Sequence, residues 1–269
     1  MSNVSTGKTG PVGVGFIGAG NISDQYLSNL VTFPDVKVLF IADIDLDRAK
    51  AQAEKYGVSG SGTVDELLAN PDVEIVVNLT IPAAHAEVDL KCIAAGKHVW
   101  SEKPYAVTRA EGQAVIDAAA AVGVLVCVAP DTILGGGIQT GLRAIHDGKI
   151  GKPLTAITMF QAPGPELWHP SPEFLFAKGA GPLMDMGPYY LSTLVSIFGA
   201  AKRVTGTGSK SRATRVIASG PKAGTEFPVE VPTHVSALIE FESGASAQST
   251  FSFESGMLRM GFVEVNGTD

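Results

Sequence analysis

Val12-Gly-Val-Gly-Phe-Ile17, then Gly18-Ala-Gly20-Asn21-Ile22-Ser23, is an apolar β-rich run that breaks into a glycine turn and opens a helix through Tyr26, Leu27 and Leu30. Strand, turn and helix in that order begin a dinucleotide-binding fold when the turn lets a pyrophosphate approach the helix N-terminus. Two registers of the Gly-x-Gly-x-x-Gly pattern fit. The literal one, Gly13, Gly15 and Gly18, lies mostly inside the strand. The working one starts where the strand ends: Gly18 for the tight turn, Gly20 for the backbone approach, and Ser23 as a small third residue. Glycine fills 31 of 269 positions, so the pattern draws its meaning from its place between strand and helix.

The same alternation continues outward. VKVLFIA (36–42) is the second strand and LDRAKAQAEKY (46–56) the helix after it. Thr63 with Glu66 forms a capping box for a short helix ending before Asn70-Pro71. VEIVVNLT (73–80) suits a strand covered on both faces. A helix then runs to Ala95, where Gly96 stops it. HVW (98–100) is a short strand, Thr108 with Glu111 repeats the capping box, and VGVLVCVA (122–129) completes the set. Strands alternating with helices predict an α/β domain with a parallel, doubly wound sheet over residues 11–129.

Beyond Pro130 the pattern changes. Helices are expected at 137–147 and 188–198, and the rest reads as extended. THVSALIEF (233–241), GASAQSTFSF (244–253) and LRMGFVEV (258–265) alternate apolar and polar residues, which predicts an antiparallel meander with one solvated face. Residues 130–269 therefore form an α+β domain on an open sheet. Asn266-Gly267 is a strong hairpin signal just before the final Asp269, so a C-terminal continuation is expected.

Composition excludes several classes. Twenty Lys and Arg against 27 Asp and Glu give a net charge of −7, which argues against a nucleic-acid partner. Cys92 and Cys127, both expected as buried packing thiols, supply neither a disulfide framework nor metal-ligand spacing, and no metal is expected. MSNVSTGKTG (1–10) lacks an apolar core and reads as a flexible tail rather than a signal peptide. The longest uncharged apolar stretch, Ala118 to Pro130, is too short for a membrane span. A cytoplasmic protein without membrane attachment is expected.

Chemistry concentrates at the carboxyl ends of the first strands. Asp43 closes the second strand, 25 residues beyond Gly18, where a carboxylate accepts ribose hydroxyls and repels a 2′-phosphate. It also fits a helix N-cap, a role Asp45 fills equally well. NAD is therefore the preferred cofactor, with NADP admissible; the nearest arginine is Arg48. Thr80, Pro82 and His85 follow the third long strand, and Glu102-Lys103-Pro104 follows the next. Lys103, held extended before proline, is placed to project toward a nicotinamide; an isolated lysine is otherwise a solvated surface residue.

The order GAGNI, a strand ending in Asp43, TIPAAH (80–85) and AGKHVWSEKP (95–104) resembles the Gfo/Idh/MocA family, which includes glucose–fructose oxidoreductase and inositol dehydrogenases. The resemblance covers essentially the whole chain, and AGKHV..EKP is its most specific segment. It implies a Rossmann domain, and an α+β domain whose open sheet mediates homodimers or homotetramers. It also implies nicotinamide-dependent hydride transfer on a sugar or polyol. Gly18, Gly20, Asn21, Ile22, Asp43, Thr80, Pro82, His85, Glu102 and Lys103 are the expected cofactor contacts.

In the second domain the family places an Asp after a Gly-rich segment and a His four residues later. Here Asp185 stands for that Asp and Tyr189 replaces the His. Tyr has an intrinsic pKa near ~10 and His one near ~6.5, so a tyrosine base needs adjacent positive charge. Lys103, Asp185 and Tyr189 are thus the expected catalytic residues, with Tyr189 and Tyr190 as helix packing the plainer alternative. Trp168 and His169, in a Pro-rich loop, are expected to stack on a sugar and hydrogen-bond a hydroxyl, or simply to pack that loop. Ala129-Pro130 replaces the family's Asn-Arg pair, so contacts of that pair do not transfer. Gly135-Gly136-Gly137 reads as a hinge, a close approach to ligand, or a loop. Two competing functions remain: a catalytically silent dinucleotide sensor of the same fold, and a keto-sugar or dicarbonyl reductase.

Overall fold

The computed structural model describes residues 10–269, and the N-terminal segment read as a tail lies outside them but for Gly10. The chain divides into two compact units, one ending at Ala129 and one beginning at Pro130.

The first unit interleaves β1 (Val12–Ile17), α1 (Asn21–Leu30), β2 (Val36–Ala42), α2 (Leu46–Tyr56), β3 (Gly60–Gly62), α3 (Val64–Ala69), β4 (Ile75–Asn78), α4 (His85–Ala94), β5 (His98–Ser101), α5 (Arg109–Val122) and β6 (Val126–Val128). All sheet pairings are parallel, in the order β3-β2-β1-β4-β5-β6. Alternation along the strands divides the core into two layers. Phe16 and Ile41 face Leu27, Ala49 and Ala53 of α1 and α2. Ile17 and Val76 face Leu67, Ile93 and Val115 of α3, α4 and α5. Phe16 is wholly buried, worth roughly 1.5–3 kcal/mol over leaving it in water. The order reverses between β1 and β4, so the loops after these strands flank a topological switch point, where doubly wound sheets bind ligands.

Three details differ from the sequence reading. β3, a Gly-Ser-Gly segment with no β-forming side chains, is an edge strand paired to Phe40–Ala42 through backbone alone. The strand expected at 73–80 is Ile75–Asn78, although Glu74 N–H to Gly13 O (2.8 Å) and Leu79 N–H to Ile17 O (2.8 Å) extend its ladder. The strand expected at 122–129 is only Val126–Val128, because α5 runs through Val122 and Gly123 ends it at φ +80°. Cys92 is buried as expected, whereas Cys127 on this strand is exposed. Both expected capping boxes form, at Thr63/Glu66 and Thr108/Glu111.

The second unit contains α6 (Gly136–His146), β7 (Pro153–Gln161), α7 (Gly181–Phe198), β8 (Ala201–Ser209), β9 (Thr214–Val216), β10 (Glu226–Pro228), β11 (His234–Phe241), β12 (Ser246–Ser252) and β13 (Met260–Gly267). β9 and β10 form a separate two-stranded ribbon. The main sheet is mixed and largely antiparallel, in the order β13-β7-β12-β11-β8. It is not the simple meander expected. β11 and β12 do form a hairpin, but β7 lies between β12 and β13, parallel to the first and antiparallel to the second. Asn266-Gly267 makes no hairpin: both residues pair with β7, opposite Thr155 and Pro153, across a register shift.

α7 covers one face of this sheet, Leu194 and Phe198 packing on Ala156, Ile239 and Ala247. It begins seven residues before the expected 188, with Pro182 in its first turn and Pro188 inside. Pro188 fits helical φ at the cost of one backbone bond and crowding against the preceding turn, yet α7 continues through it, so it does not mark the helix start. The triple glycine is not the loop of its plainest reading: Gly135 is the N-cap and Gly136 and Gly137 are the first residues of α6. Among the described residues no helix is long and apolar enough to cross a membrane, and no group of three metal-binding side chains forms.

Candidate active site

The glycine turn adopts the second register. Gly18 has φ +104°, and a Cβ there would stand 2.7 Å from Leu79 O. Gly20 is the N-cap of α1 at φ −76° and ψ −172°, with no side-chain cap, and a Cβ there would meet nothing within 4 Å. The first amides of α1 are thus not covered by a capping side chain, and the backbone before them faces open space, which fits an approaching pyrophosphate. Asn21 and Ile22 are exposed at this end. Ser23 is buried, its hydroxyl donating to Gly20 O at 2.6 Å, and so takes the packing role of the third glycine.

Asp43 is not the N-cap. Asp45 caps α2, accepting from Arg48 N–H at 3.1 Å. Asp43 instead accepts from Ala19 N–H (2.7 Å) with Oδ2, and from Asp45 N–H and Arg48 Nη2 (both 2.9 Å) with Oδ1. Burial opposes its charge, but the two amides and the guanidinium outweigh that and hold its pKa below the usual carboxylate range. Ala19, Gly20, Asn21, Arg48 and Gln52 line a cleft of about 240 Å³ beside this carboxylate. Arg48, only a bystander in the sequence reading, is therefore part of the site.

The loops after β4 and β5 form a connected polar layer. Asn78 is wholly buried; its Oδ1 accepts from the N–H (3.1 Å) and hydroxyl (2.7 Å) of Thr80, and its Nδ2 donates to Asp89 Oδ1 (2.7 Å). Pro82 opens a single 3₁₀ turn, Pro82–Ala84, leading into α4. His85, expected among the cofactor contacts, is placed differently. Its ring is 1 % exposed, with Nδ1 at 2.7 Å from Pro104 O and Nε2 at 2.8 Å from Thr80 O. Both nitrogens are committed to the protein backbone, so the ring braces two loops instead of meeting a ligand.

Glu102 braces the same region from the other side. Its Oε1 accepts from Tyr26 OH (2.7 Å) on α1, and its Oε2 accepts from Lys103 N–H (2.9 Å). Glu102 N–H donates to Asn78 O at 2.9 Å. Lys103, half-buried and joined to Pro104 by a cis peptide bond, lies between the residues fixed by Tyr26 and His85.

In the second unit, α7 sets Asp185 and Tyr189 one turn apart, on one helix face. The neighbouring tyrosine is the packing one: Tyr190 meets Phe251 at 5.7 Å between ring centroids, and burial pushes its pKa up. Trp168 is 68 % exposed, and its ring meets the edge of His169, which in turn meets Phe174, both at 5.5 Å. His169 Nδ1 accepts from Ser171 N–H at 3.0 Å. Burial lowers the His169 pKa, against the charges of Glu173 and Asp185. The ring is therefore neutral at pH 7, with its proton on Nε2.

Sequence reasoning missed the anchor of this loop. Arg215, 4 % exposed, pairs with buried Glu166 and with Glu254 (2.7 Å), and donates to Pro163 O and Phe253 O (both 3.1 Å). It ties the start of the Trp168–His169 loop to the end of β12. A lone Arg between Thr214 and Val216 gives no sequence signal of such burial.

Known proteins resemble this arrangement along nearly the whole chain. Residues 12–129 match the model of the oxidoreductase family with an NAD-binding Rossmann fold, and residues 138–269 match the Gfo/Idh/MocA C-terminal domain. Trans-1,2-dihydrobenzene-1,2-diol dehydrogenase of Mus musculus is 28 % identical over 254 residues, covering 93 % of this chain and 71 % of its own. 1,5-Anhydro-D-fructose reductase of Ensifer adhaerens is 27 % identical over 262 residues, covering 95 % and 73 %. The crystal structure of an NAD binding oxidoreductase from Klebsiella pneumoniae superposes with a TM-score of 0.81 at 28 % identity, over 96 % of this chain and 71 % of that one. With both of its units matched in order, the chain belongs to the Gfo/Idh/MocA family of NAD-binding oxidoreductases.

Proposed function

We propose that this protein moves a hydride between NAD and a CH–OH carbon of a sugar, polyol or related carbohydrate. The observation that supports this most strongly is the edge of the first sheet: an open glycine turn before α1, a buried carboxylate after β2 and a braced lysine loop after β5. The relatives named above are a dehydrogenase of a cyclic diol and a reductase of an anhydro-sugar, a chemistry shared by both reaction directions.

Gly18, Gly20, Asn21 and Ile22 receive the pyrophosphate at the start of α1. Asp43 accepts the ribose hydroxyls, and Thr80 and Pro82 flank the dinucleotide. Bound NAD supplies the hydride acceptor. Lys103 stabilises negative charge on the substrate oxygen as its proton leaves, a role in which preorganised charge outperforms water. Tyr189 as its phenolate, or a water it orders, takes that proton, and Asp185 orients the hydroxyl. Trp168 stacks on the apolar face of the ring, and His169 donates its Nε2–H to a further hydroxyl.

The assembly is a homodimer or homotetramer joined through the open face of the second sheet. Ile157, Gln248 and Leu238 stand in one row across that sheet, and Ile157, Leu238 and Phe262 are exposed. The protein works in the cytoplasm, in keeping with its two free thiols, and takes neither nucleic acid nor membrane as a partner.

NADH formation with a panel of sugars and polyols, with NADP in parallel, tests the reading. Turnover with NAD is expected, and Tyr189→Phe should lower kcat by about 100-fold or more with KM little changed. Tight NAD binding without turnover in either direction would replace it with a silent sensor.

A further inference from the structure

The loops following β4 and β5 meet on one imidazole. The two ring nitrogens of His85 lie 2.7 Å from Pro104 O and 2.8 Å from Thr80 O. A backbone carbonyl oxygen only accepts, so each nitrogen has to bring a proton. A neutral ring satisfies one carbonyl and turns a lone pair toward the other. The imidazolium donates to both, and the two lengths fall in the range of charge-assisted bonds.

A buried cation needs an opposite charge close by. Asp89 stands on the next turn of α4, wholly buried and electrostatically coupled to His85, with Oδ1 fixed by the Asn78 amide at 2.7 Å. Burial raises the Asp89 pKa overall, with the Asn78 and Ser101 hydrogen bonds and the His85 charge working in the opposite direction. The other titratable groups around the pair are Tyr105 and Cys92, both coupled electrostatically to Asp89, and Glu102 and Lys103 on the loop itself.

We infer that His85 is a positioning residue, held doubly protonated, that clasps the Lys103 loop to the 80–85 loop and so fixes where the Lys103 ammonium is presented. This rests on the proposed role of Lys103 at the reacting oxygen. The clasp is one-sided without Glu102, which ties the residue before Lys103 to Tyr26 as His85 ties the residue after it. Lys103 thus sits on a two-point mount, and loss of either point frees it to swing.

Two measurements test this. In the apo protein with ring-labelled histidine, ¹⁵N NMR at neutral pH should show both His85 nitrogens protonated, the ring being assigned through its Cβ. His85→Gln keeps one donor. It should lower kcat by roughly tenfold or more, as expected for a displaced catalytic group. The Kd for NAD should stay within about threefold, under half of one tenfold step of binding energy. Amide exchange at Lys103 and Tyr105 should quicken. A neutral His85 ring in the wild type, or a His85→Gln variant with unchanged kcat and exchange, overturns the inference. A variant that fails to fold leaves the wild-type NMR result to decide. If the ring is doubly protonated and the exchange responds, but the wild type turns over no carbohydrate, the clasp stands and the proposed function falls.

Discussion

Gly18 and Gly20 lie two residues apart in one turn, yet a methyl group added to each should fail in opposite ways. At Gly20 the backbone, φ −76° and ψ −172°, is open to any residue, and a Cβ meets no atom within 4 Å. Alanine is a poorer N-cap than glycine by up to ~1 kcal/mol, and restricting the unfolded chain returns ~0.4–1 kcal/mol. Gly20→Ala should therefore keep its Tm within roughly 2–4 °C of wild type. Its methyl nonetheless fills the space the pyrophosphate is proposed to enter, so the Kd for NAD should rise at least about tenfold, equivalent to ~1.4 kcal/mol. At Gly18 the φ of +104° is strained for any L side chain, at ~1–3 kcal/mol. The added Cβ also presses on Leu79 O at 2.7 Å and Leu79 C at 2.8 Å, so the end of β4 has to shift. A total of ~2–4 kcal/mol lowers Tm by roughly 5–15 °C. Thermal unfolding and calorimetric titration of NAD into both variants give the comparison. Gly20→Ala binding NAD as tightly as wild type, with Tm intact, would refute the placement of the pyrophosphate; Gly18→Ala unchanged in Tm would refute the steric argument.

Three further outcomes follow from the charged pairs of the two units. Asp43→Asn keeps Arg48 beside the cleft but removes the carboxylate that repels a 2′-phosphate, so the ratio of NADP to NAD affinity should rise at least about tenfold. Arg48→Ala should move the ratio the other way, and both are read by titrating each dinucleotide. Glu166→Ala leaves Arg215 buried with Glu254 as its remaining carboxylate partner among the described residues. It should cost about 3 kcal/mol in urea unfolding, whereas a loss under ~0.5 kcal/mol would show that the pair is not buried in solution.

The parts of the fold legible in the sequence are those governed by local chemistry. β1, β2 and α2 end where their apolar runs and flanking turn residues end, and the capping boxes at Thr63 and Thr108 form as read. The glycine stop read at Gly96 stands just past α4 at φ +72°, whereas Gly123, read inside a strand, ends α5. What escaped depends on distant partners. β3 has no β-forming side chain and exists because Phe40–Ala42 offers it a ladder. The parallel pairing of β7 with β12 leaves no local mark in either strand, so three consecutive alternating runs read as a meander. Pro188 hid the true start of α7, and with it the fact that Asp185 and Tyr189 share a helix face.

Site residues divide along the same line. Residue type and spacing pointed to Gly18, Gly20, Asp43 and Lys103, since each has a position relative to a strand end. They did not reveal that Arg48 reaches Asp43, that both nitrogens of His85 face carbonyls, or that Arg215 anchors the Trp168 loop. Each of those depends on which neighbour a long or two-ended side chain finds after folding.

The position of β7 in the second sheet also sets the order of events during synthesis. It is the first strand of that unit to be made, yet it stands between β12 and β13, the last two. The hydroxyl of Thr158 bonds that of Ser249 across 91 residues, and Lys152 N–H bonds the Thr268 hydroxyl across 116. At roughly 5–20 residues per second, β7 waits about 5–20 s on the ribosome before its first ladder partner emerges. The first unit has no such wait, because β1 finds β2 after one short helix. The nascent chain should therefore pass through a stage with a folded N-terminal unit and a bare strand exposing Ala156 and Phe160. High contact order of this kind slows closure and invites aggregation. The yield of soluble protein should accordingly be governed by the second unit, not by the nucleotide-binding one.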